Sequence, residues 1–249
     1  MTFDVAGVLA DAWRMWKRDR ELLLAVAGLF LFLPNLVLEL LVPPAPAQTG
    51  SGTDMTAFKS WLTEVGAWWA HYGLFISVIG LAAMFGTLMI FTLYLDPRRP
   101  NVRVALVRTL TLSPRYLLAM LLVSLAVNIG FVLLVFPGIY ALGRLMLTVP
   151  SLVADRSRGV LGAIERSLAL TAGNGLVLAG FACITLFSGT LLSAPFRALG
   201  KAMDGAPMAN PVVAVLLDSG AAAGVATGML AAILIEVALY RRLAASNGI

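Results

Sequence analysis

The chain has 249 residues, of which 60% are hydrophobic and only 12% charged, with a mean hydropathy of +0.91. A soluble domain carries about twice that charge and roughly 45–50% apolar residues. The composition therefore excludes a water-soluble fold, a disordered chain, a collagen-like repeat and a disulfide scaffold, and leaves an integral membrane protein. The formal charge of +5 and pI near 9.8 mark basic connectors on one membrane face rather than nucleic-acid binding in a chain this apolar.

The first predicted element is basic and amphipathic. Over residues 3–17, Val5, Leu9, Ala12, Trp13 and Trp16 share one helical face, the i, i+3/i+4, i+7 spacing of an amphipathic helix. This long mixed-charge start, with no A-x-A site after it, reads as no cleavable signal. A spanning helix needs about 20 mostly apolar residues to cross ~30 Å of hydrocarbon. The first such run is Leu22 to Val42, with Pro34 as the expected kink. An outside loop over 43–72 opens with Pro43-Pro44-Ala45-Pro46 and continues Gln48-Thr49-Gly50-Ser51-Gly52, a rigid stretch followed by a flexible one. Met55, Phe58, Trp61, Leu62, Val65, Trp68, Trp69 and Tyr72 then recur at helical spacing, with Asp54 as cap. Because Trp and Tyr favour the membrane interface, this predicts a helix lying on the outer leaflet. The second span is Gly73 to Leu95.

A second amphipathic stretch, 101–113, places Val102, Ala105, Leu106, Thr109 and Leu110 on one face and leads into a third span, Tyr116 to Phe136. Phe136-Pro137-Gly138 predicts a tight hairpin into the fourth and shortest span, Gly138 to Val153; a re-entrant hairpin is the alternative for this pair. A third amphipathic stretch, 159–171, aligns Val160, Leu161, Ile164, Ser167 and Leu168. The fifth span is Gly175 to Ala194, and the sixth is Val212 to Tyr240, long enough to tilt or protrude. The apolar runs are continuous rather than alternating, which excludes a β-barrel.

The expected fold is all-α: a single polytopic membrane helix bundle over 1–249, with six transmembrane helices and three cytoplasmic interfacial amphipathic helices. It divides into three helix-plus-hairpin repeats, 1–95 (carrying the loop 43–72), 96–153 and 154–249. The second and third copies align Ala105-Leu106-Val107-Arg108-Thr109-Leu110 with Ala163-Ile164-Glu165-Arg166-Ser167-Leu168. Fourteen of the 18 Lys and Arg residues fall in the N-terminal segment, the loops after the second and fourth spans, and the tail. Lys59, Arg197 and Lys201 lie on the other side. That asymmetry puts both termini in the cytoplasm.

Ionisable groups inside a bilayer are costly and so become site candidates. Arg144 lies within the fourth span and must meet a carboxylate, backbone carbonyls, phosphate or water; Glu236 and Glu39 are the available carboxylates. It reads as a clamp between helices, as a substrate or lipid-headgroup contact, or as part of an ion relay. The absence of carboxylate or histidine chains weakens the last. Arg108 and Arg166 sit on amphipathic stretches and suit headgroup phosphates, so anionic lipids are the expected partners. Asn35 and Asn128 can hydrogen-bond between helices, and Asp218 begins the sixth span. Gly220, Gly224 and Gly228 share a helix face and permit close packing, within the chain or in a homodimer; a membrane-protein partner also stays open. His71 and Cys183 are each the only one of their kind, so no metal cluster is expected. His71 reads as interfacial and Cys183 as a small buried hydrophobe. No P-loop, G-x-S-x-G motif or carboxylate pair beside a nucleophile occurs, and no cofactor or catalytic residue is expected.

Residues 136–175 combine Pro137-Gly138, Arg144, Pro150, Asp155, Ala163, Arg166-Ser167, Thr171 and Gly173-Asn174 in that order. This stretch resembles the bacterial membrane-domain family found attached to some glycerophosphodiester phosphodiesterases and in related stand-alone proteins. The match covers about forty residues strongly and the six-span layout loosely. The resemblance implies a six-helix bacterial inner-membrane domain with cytoplasmic connectors. It implies no catalysis, since no phosphodiesterase-like soluble segment lies within these residues. The functional expectation is a non-enzymatic inner-membrane protein that engages lipids as an accessory or scaffold in membrane homeostasis. The alternatives are a transporter or channel for a small amphiphilic or anionic substrate with Arg144 lining the path, and an enzyme acting on lipids through a dispersed site.

Overall fold

A computed structural model describes residues 4–48, 55–98, 101–155, 157, 159–203 and 210–247. The expected cap Asp54, the stretch Thr49-Gly50-Ser51-Gly52, and Arg99, Arg156 and Arg158 lie outside the described residues. Among the described residues the fold is all-α, with no strand. The helices are α1 (Val5–Ala27), α2 (Leu33–Leu41), α3 (Met55–Leu95), α4 (Val102–Leu133), α5 (Val135–Leu145), α6 (Thr148–Ala154), α7 (Gly159–Leu170), α8 (Gly175–Met203) and α9 (Pro211–Ser246), with a π-helical turn Gly28–Phe32 joining α1 to α2. Six stretches are long and apolar enough to cross a membrane: Val5–Leu41, Met55–Leu95, Val102–Leu133, Val135–Ala154, Gly175–Met203 and Pro211–Ser246. The chain is a multi-pass membrane protein.

Several boundaries differ from the expectation, each for a local reason. The amphipathic stretches 3–17 and 101–113 are not separate helices but the first turns of α1 and α4. In α1 the expected boundary survives as a kink at Asp19 (φ −115°, ψ 23°). In α4, Pro114 lies inside the helix and the helix continues past it. Only the third stretch is a helix of its own, α7, because Gly173 at φ +80° takes the left-handed conformation that ends a helix. The outer helix does not lie flat on the leaflet: α3 runs without a break through Tyr72 and Gly73 over 41 residues, with no proline to stop it. Two of its tryptophans have a task beyond an aromatic belt. The Trp68 indole N–H donates to the Pro43 carbonyl at 3.1 Å and that of Trp61 to the Pro46 carbonyl at 3.0 Å. A proline-rich strand offers acceptors but few donors, and the indoles supply them.

Pro34 produces a π-helical turn on its N-terminal side rather than a simple kink, since a proline cannot donate to the carbonyl four residues back. The hairpin between the third and fourth spans turns at Leu134, which is extended (φ −166°, ψ 156°), two residues before the expected Phe136. Pro137 is already the third residue of α5, inside the first turn where a missing N–H costs nothing. The two arms touch at backbone: a Cβ on Gly130 would fall 2.9 Å from the Gly138 Cα.

Burial sorts the spans into inner and outer. More than half of the core window of α9 is buried (56%) and half of the α5–α6 window (50%), against 22–28% for the other four. The outer helices turn apolar side chains outward: Leu74, Val132 and Leu176 are each more than four-fifths exposed. In water such a surface would aggregate; in hydrocarbon it is the matched face.

Gly220, Gly224 and Gly228 face α8 within the same chain. A Cβ at Gly220 would meet the Phe196 ring at 2.3 Å, at Gly224 the Leu192 backbone at 2.7 Å, and at Gly228 the Gly189 nitrogen at 2.3 Å. The Ser188 hydroxyl completes the crossing with a hydrogen bond to the Gly228 carbonyl at 3.1 Å. The glycine stripe is thus used in building the protomer.

Candidate functional site

The two ends of the bundle are chemically different. At one end the chain termini meet. Asp4 accepts from the Gly7 N–H at 2.9 Å, capping α1, and from Arg242 of α9 at 2.8 Å. Those two contacts, the backbone N–H first, hold its carboxyl below the ordinary carboxylate range. Arg242 also pairs with Asp11. Arg241 donates to the Tyr94 carbonyl at 2.6 Å, and the Tyr94 hydroxyl donates to Asp19 at 2.7 Å. The opposite end is tied by Glu39 of α2 and Arg197 of α8, with Arg197 Nε donating to Glu39 Oε1 at 3.1 Å. Glu39 is therefore spent on Arg197, not on Arg144.

Arg108 and Arg166 both have partners inside the chain. Arg108 Nη1 lies 2.6 Å from Asp96 Oδ2, with Asp96 only 5% exposed. Arg166 Nε donates to the Tyr240 hydroxyl at 3.2 Å and its guanidinium covers the Tyr240 ring at 5.9 Å. The aligned arginines thus occupy equivalent sequence positions with different partners. A smaller likeness accompanies them: Asp96 accepts from the Arg98 N–H at 3.0 Å and Asp155 from the Ser157 N–H at 3.2 Å, the same turn before each amphipathic stretch.

The fourth span is broken. α5 ends at Leu145 and α6 starts at Thr148, with Pro150 in its first turn. Proline there has no N–H for the carbonyl of Met146. Arg144 sits in the last turn of α5, and the polar feature that its neighbours hold is its carbonyl. Ser167 Oγ donates to it at 2.8 Å, a donor that a broken helix lacks, and Thr171 Oγ1 lies at 3.2 Å with its nearer acceptor the Ser167 carbonyl at 2.7 Å. The half-buried Arg144 guanidinium lies 6.0 Å from the Tyr140 ring centroid and, among the described residues, meets no carboxylate. It lines neither of the two larger cavities.

Asn35 donates to the Leu31 carbonyl at 2.7 Å and approaches Met229 Sδ at 3.9 Å, bridging α2 to α9. Asn128 is exposed and donates to Ser124 of its own helix at 2.7 Å, so it does not join helices. Asp218 is half-buried in the second turn of α9. His71 is exposed and stacks edge-on with Tyr72 at 4.5 Å. Cys183 is half-buried with a free thiol. Among the described residues no group of three metal-ligating side chains comes together.

Two larger cavities were not legible in the sequence. The first, about 680 Å³, is an apolar groove between α1 and α9 that opens outward. Trp13 and Trp16 stand at its basic end and Phe32 and Ala223 at the other. Lys17, 5.4 Å from the Trp13 ring, follows Trp13 at i+4 on the same helix face, and Arg20 comes just past the kink at Asp19. Both are exposed and, among the described residues, neither has a carboxylate partner. The second, about 570 Å³, lies where α3, α4, the α5–α6 break, α8 and α9 converge, and Glu236 is its only charged lining residue. The available sequence signal for the groove was the unpaired Lys17–Arg20 step at the start of an apolar run. For the second cavity it was a carboxylate sharing an apolar face with Met229 and Ile233.

A scan of protein-family models matches no family, and searches of the curated proteins and of the solved structures give no match.

Proposed function

We propose that this protein is a non-enzymatic component of a bacterial inner membrane, with both termini in the cytoplasm, that holds an anionic phospholipid as part of an accessory or scaffold role in membrane homeostasis. The observation that carries this reading is the α1–α9 groove. Its lining is almost wholly apolar. Along α9 it runs from Ala223 to Ile235, roughly 18 Å of helix, comparable with one leaflet's share of a ~30 Å hydrocarbon core. Its basic end offers what a headgroup needs, indoles at the interface and two cations with no carboxylate to neutralise them. One acyl chain along the groove, with its phosphate at Lys17 and Arg20, satisfies both halves.

Arg108 and Arg166 hold structure in this reading, since Asp96 and Tyr240 already occupy them. The kinship with phosphodiesterase-associated membrane domains stays part of the proposal. What supports it is that Pro137, Gly138, Pro150, Ser167, Thr171 and Gly173 all shape or close the broken fourth span and its neighbours.

The test is native mass spectrometry of the detergent-purified chain, comparing wild type with Lys17→Glu/Arg20→Glu. Wild type should retain an anionic phospholipid, and the double variant should lose it while keeping its elution profile. A wild type carrying no phospholipid, or a double variant carrying the same anionic lipid, refutes the reading.

A further inference from the structure

We propose that the cavity around Glu236 is a binding site for a lipophilic organic cation, whose positive centre pairs with the Glu236 carboxylate. This site is separate from the lipid groove and does not rest on it. The cavity measures about 570 Å³, within the ~300–1,000 Å³ of small-molecule sites. Five spans contribute to it, and among the described residues its walls include no Lys, Arg or His, with Tyr116 the only other titratable lining residue. Among the described residues Glu236 has no hydrogen bond and no ion pair. A carboxyl group in an apolar, membrane-embedded cavity is compensated by a proton or by a cation brought from outside. The chain supplies no cation, so a bound ligand's positive centre would take the place of the proton on Glu236.

The lining also decides what kind of cation. A calcium or magnesium ion takes about six or more oxygen ligands, and among the described residues the cavity offers one carboxylate, three threonines and the Tyr116 hydroxyl. Two of those, Thr87 and Thr185, already donate to their own helices at the Ala83 and Ala182 carbonyls, both at 3.0 Å. Among the described residues Glu236 belongs to no cluster of three or more His, Cys, Asp or Glu side chains. What lines the cavity instead is four thioethers, Met84, Met120, Met146 and Met229, and the rings of Phe91 and Tyr116. Thioethers adapt their shape and are polarisable, and aromatic faces attract diffuse positive charge. Thr148, buried with an unpartnered hydroxyl, belongs to the same wall. An anion is opposed by the sign of the only charge present.

The experiment uses two probes of matched shape and opposite charge, tetraphenylphosphonium and tetraphenylborate, in equilibrium dialysis against the full chain in a neutral detergent. Wild type should bind the phosphonium saturably and at least about tenfold more tightly than the borate, the ratio that ~1.4 kcal/mol of ion pairing supplies. Glu236→Gln should abolish that preference. Ala232→Phe, which fills the cavity and keeps the carboxylate, should weaken phosphonium binding. Equal binding of the two ions by wild type overturns the proposal, whether or not the variants fold. So does unchanged phosphonium binding by a monodisperse Glu236→Gln protein.

Discussion

Adding one methyl group at Gly228 tests the packing on which the bundle depends. The new Cβ would sit 2.3 Å from the Gly189 nitrogen and 2.5 Å from its Cα, both backbone atoms that cannot rotate away. Non-bonded carbons rest about 3.5 Å apart, so α8 and α9 must part by about 1 Å at this point. Overpacking of this kind costs ~1–3 kcal/mol. Against it stands the ~1 kcal/mol by which alanine outdoes glycine in a helix interior. Gly180 of α8 isolates that second contribution, because a Cβ there meets nothing within 4 Å. The difference between Gly228→Ala and Gly180→Ala is therefore the overpacking cost alone. For a chain of this length ~1–3 kcal/mol corresponds to roughly 2–12 °C in Tm. Cys183 provides the assay, since it is the chain's one cysteine and sits half-buried on α8. A thiol-reactive dye in a thermal ramp reports its unmasking. Gly180→Ala should melt at or above wild type, and Gly228→Ala clearly below Gly180→Ala. Equal melting of the two alanine variants would refute the backbone-to-backbone crossing.

Two further outcomes follow from buried polar contacts and use the same ramp. Arg108→Ala takes the shortest contact from a carboxylate that is 5% exposed but leaves it the Arg98 N–H; since the Arg108 side chain is itself 21% exposed, the loss should be about 1–2 kcal/mol, below the ~3–5 of a fully buried pair. Adding Asp96→Asn should recover part of it, and a single variant that melts like wild type would show that the pair is idle. Ser167→Ala and Thr171→Val should each cost ~1 kcal/mol. The double variant should cost about their sum, because the nearer acceptor of the Thr171 hydroxyl is the Ser167 backbone carbonyl at 2.7 Å, which Ser167→Ala keeps. A cost well above the sum would show that the two hydroxyls share the Arg144 carbonyl instead.

What was legible in the sequence was whatever the bilayer dictates. Six apolar runs and the gathering of arginines follow from hydrocarbon thickness and charge, and both depend on residue type more than on contacts. The glycine stripe was legible as a contact face, but its partner was not, because α8 in the same chain and α9 of a second copy pose the same steric demand. Interruptions were the weakest point. Pro34 and Pro114 are equally visible, yet one is preceded by a π-helical turn and the other lies within continuous helix. The charge at Arg144 drew attention to the side chain, whereas the structure engages the backbone oxygen at the same position. That exchange was foreshadowed only by the spacing of Ser167 and Thr171, one helical turn apart. The Glu236 cavity was out of reach, since no stretch of sequence records how five helices fail to touch.

The length of α3 carries a consequence for how the molecule meets its surroundings. Its 41 residues make a rod of about 61 Å, twice the ~30 Å of hydrocarbon that it crosses, and an average tilt of ~20° shortens its reach by only a few ångströms. With its C-terminal end beside Asp96 and Arg108, the surplus falls at the opposite end, where Trp61 and Trp68 tie it to the proline-rich stretch and Met55, Phe58, Leu62 and Trp69 keep apolar surface exposed. An antibody fragment or a folded tag fused near Met55 would extend that continuous helix, a handle by which a protein of 26.4 kDa can be seen and oriented inside its detergent shell.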